Sequence, residues 1–106
     1  MVEKKDIVMT KKVLVPISDG CEEIEAVTII NVLRRAEASV TVASVAPSEG
    51  LQICASRGVN ILADCAIADC VSGAKKVPWD LIAVPGGLPG SEHLACLLYT
   101  SDAADE

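Results

Sequence analysis

VLVPISDGCEEIEAV, residues 13–27, carries two periodicities with a hinge between them. Val13 to Ile17 is an unbroken aliphatic run closed by Ser18-Asp19-Gly20, which predicts a buried strand ending in a turn. Beyond the turn the period becomes helical. Ala26, Ile29, Ile30, Leu33 and Ala36–Glu37 recur at three- and four-residue spacing, which predicts an amphipathic helix over residues 22–37. Asp19 followed three residues later by Glu22 has the form of a capping box, with Asp in the usual Ser or Thr position.

Outward from that stretch, SVTVASV (residues 39–45) alternates β-branched residues and predicts a second strand, completing a strand–helix–strand crossover. Residues 47–50 (PSEG) read as a loop, and residues 51–54 and 58–63 as a hairpin around Ser56-Arg57-Gly58. Residues 64–70 suit a short helix. WDLIAV (residues 79–84) predicts another buried strand, which stops at Pro85-Gly86-Gly87. A glycine pair at a strand's end lets backbone approach a ligand or a neighbouring side chain closely. Strands alternating with a helix predict a doubly wound α/β sheet, mainly parallel, whose sites gather at strand C-terminal ends. GCEEIE and PGG both fall at such ends.

The bulk composition agrees with that class. A chain of 106 residues holds at most one domain, and 51% hydrophobic content supplies a core. With one Trp, one Tyr and no Phe, that core must be built from Val, Ile, Leu and Ala, as in strands buried on both faces. The net charge of −6 gives no basis for nucleic-acid binding. No apolar run approaches the roughly 18 residues of a membrane span. MVEKKDIVMTKK (residues 1–12) mixes acids and bases without a secretory apolar stretch, so the expected location is the cytoplasm, with residues 1–10 as a flexible lead-in. Five cysteines (21, 54, 65, 70 and 96), a single His and no CxxC pair predict neither a metal site nor a disulfide framework. Cys65 and Cys70 are expected as buried, reduced thiols.

The acidic cluster raises the chemical question. On a wheel of about 100° per residue, Ile29, Val32 and Ala36 fall within about 40° of Glu25, whereas Glu23 points nearly the other way. Glu25 is therefore expected to face the sheet, Glu23 to be a solvated surface charge, and Glu22 to serve the cap. A carboxylate on an apolar face must be neutralised, paired or hydrogen-bonded. Burial would raise its pKa, and the positive helix end would oppose that rise. Spacing alone leaves two roles open: a partly protonated carboxyl that donates or relays a proton, and a carboxylate bonded to nearby backbone amides. Cys21, at the helix start, is either a thiolate stabilised by unpaired amides or a small filler in a tight turn.

Taken together, VLVPISDGCEEIEAVTIINVLRRAEASVTVASV and DLIAVPGGLPGSEHL resemble the ThiJ/PfpI family, in the branch that contains the Parkinsonism-linked protein deglycase and its plant relatives. The likeness covers residues 11–95. It implies the N-terminal portion of a flavodoxin-like, Rossmann-like sandwich related to class I glutamine amidotransferases, and a homodimer when full length. It further implies a cysteine nucleophile on a strand-to-helix elbow partnered by the glutamate matching Glu25, with backbone at Gly20, Gly86 and Gly87 lining the pocket. The implied chemistry is cofactor-independent: a thiolate attacks a small dicarbonyl such as methylglyoxal, as in a glyoxalase or protein deglycase. A non-catalytic redox sensor or chaperone of the oxidative-stress response is the alternative. Cys54 matches a cysteine near the dimer interface of some members, and is otherwise an ordinary strand thiol.

The family's GxCxGP-like elbow does not follow PGG in this chain. CLLYTSDAADE (residues 96–106) breaks the pattern and reads as a non-native tail, like a translated sequencing adaptor joined to a truncated transcript. Cys96 lacks an elbow and is not the nucleophile, and His93 does not match the family's histidine. The 106 residues themselves are therefore expected to be inactive, with strand edges and an apolar face exposed.

Overall fold

The computed structural model describes residues 10–45 and 50–86. Among the described residues six strands and two helices follow in order: β1 (Lys12–Ile17), α1 (Glu23–Arg35), β2 (Ser39–Ser44), β3 (Gln52–Cys54), β4 (Asn60–Leu62), β5 (Cys65–Ala66), α2 (Ile67–Val71) and β6 (Leu81–Ile82). The main sheet is parallel throughout and ordered β5-β2-β1-β6, and β3 and β4 form a separate antiparallel pair. This is the expected mainly parallel α/β architecture. Residues 1–9 of the lead-in predicted at 1–10, residues 47–49 of the loop predicted at 47–50, Gly87, His93, Cys96 and the tail at 96–106 lie outside the described residues.

β1 is the centre of the sheet because its aliphatic run can be buried twice. Val13, Val15 and Ile17 pack with Cys21, Ala26, Val42 and Ile53 on one face. Leu14 belongs to the other face, with Ala43, Val45, Cys65, Ile67 and Cys70. Each such aliphatic side chain contributes about 1.5–3 kcal/mol when fully buried. β2 runs beside β1 in register from Lys12↔Ser39 to Ile17↔Ser44. β6 lies on the other side, with Val13↔Leu81 and Leu14↔Ile82. The chain therefore leaves β1 toward one neighbour and returns to it from the other side, which makes the C-terminal end of β1 a switch point of the sheet.

Three expectations need correction. The strand predicted over residues 79–84 is paired only at Leu81–Ile82, and both residues are exposed. Among the described residues β6 has β1 on one side alone, so an aliphatic sequence does not produce burial there. The capping box does not form either. Glu22, not Asp19, is the N-cap of α1 and makes no side-chain cap bond. Gly20, at φ +85°, turns the chain so that the Asp19 carboxylate instead accepts the Cys54 amide at 2.9 Å. Third, α1 buries Ala26 and packs Ile29, Ile30 and Leu33 against the core, while Val32 is 56% exposed and Ala36 is exposed. Burial follows Ile30 and Leu33 rather than Val32 and Ala36. The helix is thereby rotated, and Glu25 stands about 100° from Ala26, on the flank of the stripe and exposed.

α1 ends in a Schellman motif. The Glu37 amide donates to Arg34 O at 3.0 Å and the Ala38 amide to Leu33 O at 3.1 Å. Glu37 occupies the left-handed position at φ +68°, where glycine is the unstrained choice. Glu37→Gly should relieve roughly 1–2 kcal/mol of strain against roughly 0.5–1 kcal/mol of added chain entropy cost. The expected outcome in chemical denaturation is a gain of about 0.5–1 kcal/mol. A loss of stability would contradict this reading of the helix end.

Candidate functional site

The C-terminal end of β1 meets two other segments through its carboxylates. Asp19, Glu23 and Glu25 each take hydrogen bonds from backbone that is distant in sequence. Asp19 Oδ1 accepts the Cys54 amide at 2.9 Å, at the end of β3. Glu23 Oε1 accepts the Ser56 hydroxyl at 2.7 Å, and its Oε2 accepts the Arg57 amide at 2.8 Å. Two backbone bonds complete that attachment: the Gly20 amide to Cys54 O at 2.9 Å and the Ser56 amide to Cys21 O at 2.9 Å. The tip of the β3–β4 hairpin is thus fastened to the turn that opens α1.

Glu25 holds the third segment. Its Oε1 accepts the Gly86 amide at 2.8 Å, and the Glu22 amide donates to Gly86 O at 2.9 Å. Both polar groups of one glycine are therefore taken by the first turn of α1. A Cβ at Gly86 would stand 3.0 Å from Glu25 Oε1, a tight contact that would push the carboxylate back by a few tenths of an ångström. Of the two roles left open for Glu25, the described contacts match a carboxylate on a backbone amide. The inward, apolar setting expected from the helical wheel is not what surrounds it.

The other predicted site residues divide. Gly20 lies at the turn, but its amide is committed to Cys54 O. Gly86 is in contact with Glu25, and Gly87 is outside the described residues. Cys21 is 3% exposed and fills the core beneath the turn. Burial pushes its thiol pKa up, with the Glu23 charge adding to the rise against the opposing backbone hydrogen bond at Ser18. Of the two readings left open for Cys21, this burial favours the small filler in a tight turn. Cys54 is exposed, with its Sγ 3.8 Å from Ala55 O. Among the described residues no group of three or more His, Cys, Asp or Glu is placed to hold a metal ion, and no helix is long and apolar enough to cross a membrane.

Glu23, expected as a solvated surface charge, is instead half-buried and accepts two bonds from the hairpin tip. The Ser56-Arg57-Gly58 turn was visible as a turn, but nothing local marks its partner.

Several known proteins are similar to this chain. The DJ-1/PfpI family profile matches residues 11–100. Protein DJ-1 homolog B of Arabidopsis thaliana is 49% identical over 86 residues, covering 81% of this chain and 18% of that protein. The Parkinson disease protein 7 homolog of Danio rerio is 40% identical over 85 residues, covering 80% of this chain and 42% of that protein. The solved structure of oxidised Toxoplasma gondii DJ-1 superimposes with a TM-score of 0.73 at 42% identity, over 90% of this chain and 52% of that one. This chain therefore spans less than half the length of these two curated relatives.

Hydrogen bonds to the charged carboxylate hold the Glu23 pKa below its ordinary value of 4.5, led by its own backbone amide and then by the Ser56 hydroxyl. A depressed carboxyl contributes stability that is present above the unfolded pKa and is lost as pH falls through the lower, folded one. Protection of the Arg57 amide from hydrogen exchange is accordingly expected to decline as pH drops below 4.5. Glu23→Gln should flatten that dependence, and a decline unchanged in the variant would refute the assignment.

Proposed function

Because this chain belongs to the DJ-1/PfpI family, we propose that it contributes the glutamate-bearing part of a cysteine-dependent site acting on methylglyoxal-type dicarbonyls in the full-length protein. The observation that supports this reading is Glu25 on the Gly86 amide at 2.8 Å, where the ends of β1 and β6 converge. A carboxylate fixed by one oxygen keeps its other oxygen for a second partner. In this reading that partner is the nucleophilic cysteine or the substrate.

The chemistry balances within the substrate. A thiolate adds to the aldehyde carbon of methylglyoxal, forming a C–S bond and a hemithioacetal. The carboxylate takes the proton from that carbon and returns a proton to the neighbouring carbonyl carbon, which leaves a lactoyl thioester. Water cleaves the C–S bond, releasing lactate and restoring the thiol. One carbon is oxidised as its neighbour is reduced, so no outside oxidant is consumed. General acid–base assistance of this kind is worth about 10²–10⁴-fold. The same reading makes the full-length protein a cytoplasmic homodimer and leaves the 106 residues alone without turnover.

Incubation of the full-length protein with methylglyoxal, followed by lactate, tests the reading. Glu25→Gln is expected to lower kcat/KM by about 10²-fold or more, because the amide keeps a hydrogen-bond acceptor but cannot carry the proton. Equal rates for the variant and the parent would overturn the role of Glu25. Selective peroxide oxidation of the elbow cysteine with no lactate formed would favour the redox-sensor alternative instead.

A further inference from the structure

The face of the sheet opposite α1 holds a pair of thiols that the proposed site does not use. Cys65, in β5, is 6% exposed, and Cys70, in α2, is fully buried. Their Sγ atoms are 3.1 Å apart, about 1 Å beyond a covalent S–S bond of about 2.05 Å. The contact follows from the local fold. β5 pairs with β2 through Ala43↔Cys65, and the chain then turns at Ala66 into the one-turn helix that carries Cys70 back over Cys65. Asp64 fixes the approach, giving its amide to Val42 O at 2.7 Å and accepting the Val42 amide at 2.9 Å. On the far side, Trp79 Nε1 donates to Cys70 O at 3.1 Å and ties α2 to the segment that enters β6.

We propose that Cys65 and Cys70 form an intrachain dithiol–disulfide site that low-molecular-weight disulfides such as oxidised glutathione close reversibly. In the closed fold the thiols are poor nucleophiles. Burial and the adjacent Cys65 sulfur push the Cys70 pKa up to about 12. Reaction therefore runs through local opening of β5 and α2. That segment is suited to opening, since it comprises a two-residue strand and a five-residue helix with no side-chain cap bond. In the opened form one thiolate attacks the glutathione disulfide, forming a mixed disulfide and releasing one glutathione. The second cysteine then attacks the protein sulfur, forming the Cys65–Cys70 bond and releasing the second glutathione. The protein dithiol loses two electrons and two protons, and one disulfide becomes two thiols. On reclosing, the new bond lies under the sheet, and the same local opening gives reductant access to it. It also locks the turn on which the Cys70–Trp79 contact rests.

The full-length protein equilibrated with a reduced and oxidised glutathione mixture, then acid-quenched, alkylated and digested with trypsin, gives the test. Both cysteines fall in one tryptic peptide, residues 58–75. As the mixture becomes more oxidising, that peptide should lose both alkylation sites together and become two hydrogens lighter. Dithiothreitol should restore them, and Trp79 fluorescence should change in step. Cys65→Ala and Cys70→Ala should each abolish the lighter peptide and the fluorescence change. If the wild-type peptide stays doubly alkylated while Cys54 acquires glutathione, or if either thiol is found bonded to another cysteine, the proposal is wrong. That wild-type peptide map decides the matter even where a variant fails to fold.

Discussion

The described structure depends on a two-way clamp at one residue. Gly86 gives its amide to Glu25 and receives the Glu22 amide on its carbonyl, so β6 is held at its exit by the first turn of α1. The entrance is fastened in the same manner. Asp80 accepts the Lys12 amide at 2.7 Å on its carboxylate and returns its own amide to Lys12 O at 2.8 Å. Between these two clamps β6 pairs through only two residues, and its side chains are exposed. Hydrogen bonds to charged groups contribute about 1.5–3 kcal/mol, and solvent lowers that figure at exposed positions. For so short a strand, these end contacts rather than burial set its place beside β1.

A single acidic turn thereby organises three segments. Asp19 and Glu23 take the hairpin tip, and Glu25 takes the end of β6. None of the three caps its own helix. The Glu22 amide at the start of α1 is met by backbone instead, through Gly86 O. Negative charge in a first helical turn is also favoured by the helix dipole. Concentrating carboxylates here therefore suits the helix as well as the partners it gathers. The proposed function asks one of these carboxylates to serve a second partner, and Glu25 is exposed on the flank of α1.

Much of this was legible in the sequence, for reasons of range. β1, α1, β2 and the hairpin show their periods within a few residues, and the switch point follows from their order. The family likeness rests on those same local strings. What escaped is long-range or rotational. Glu23 meets Ser56 across 33 residues and Asp19 meets Cys54 across 35, and neither pairing leaves a local signature. The helical wheel identified an apolar side but could not say whether Val32 or Leu33 lies at its centre, and that choice decides whether Glu25 faces inward. A similar ambiguity affects LIAV before PGG, which reads as buried because aliphatic composition records what a strand could cover, not what flanks it.

The most direct measurement is a trans-hydrogen-bond scalar coupling between the Gly86 nitrogen and the Glu25 side-chain carboxyl carbon, recorded by NMR on isotopically labelled full-length protein. A resolved coupling that vanishes in Glu25→Ala, together with slow exchange of the Gly86 amide, is the outcome required by the clamp. No coupling, with Gly86 exchanging as freely as an open loop, would mean that Glu25 does not organise this end of the sheet.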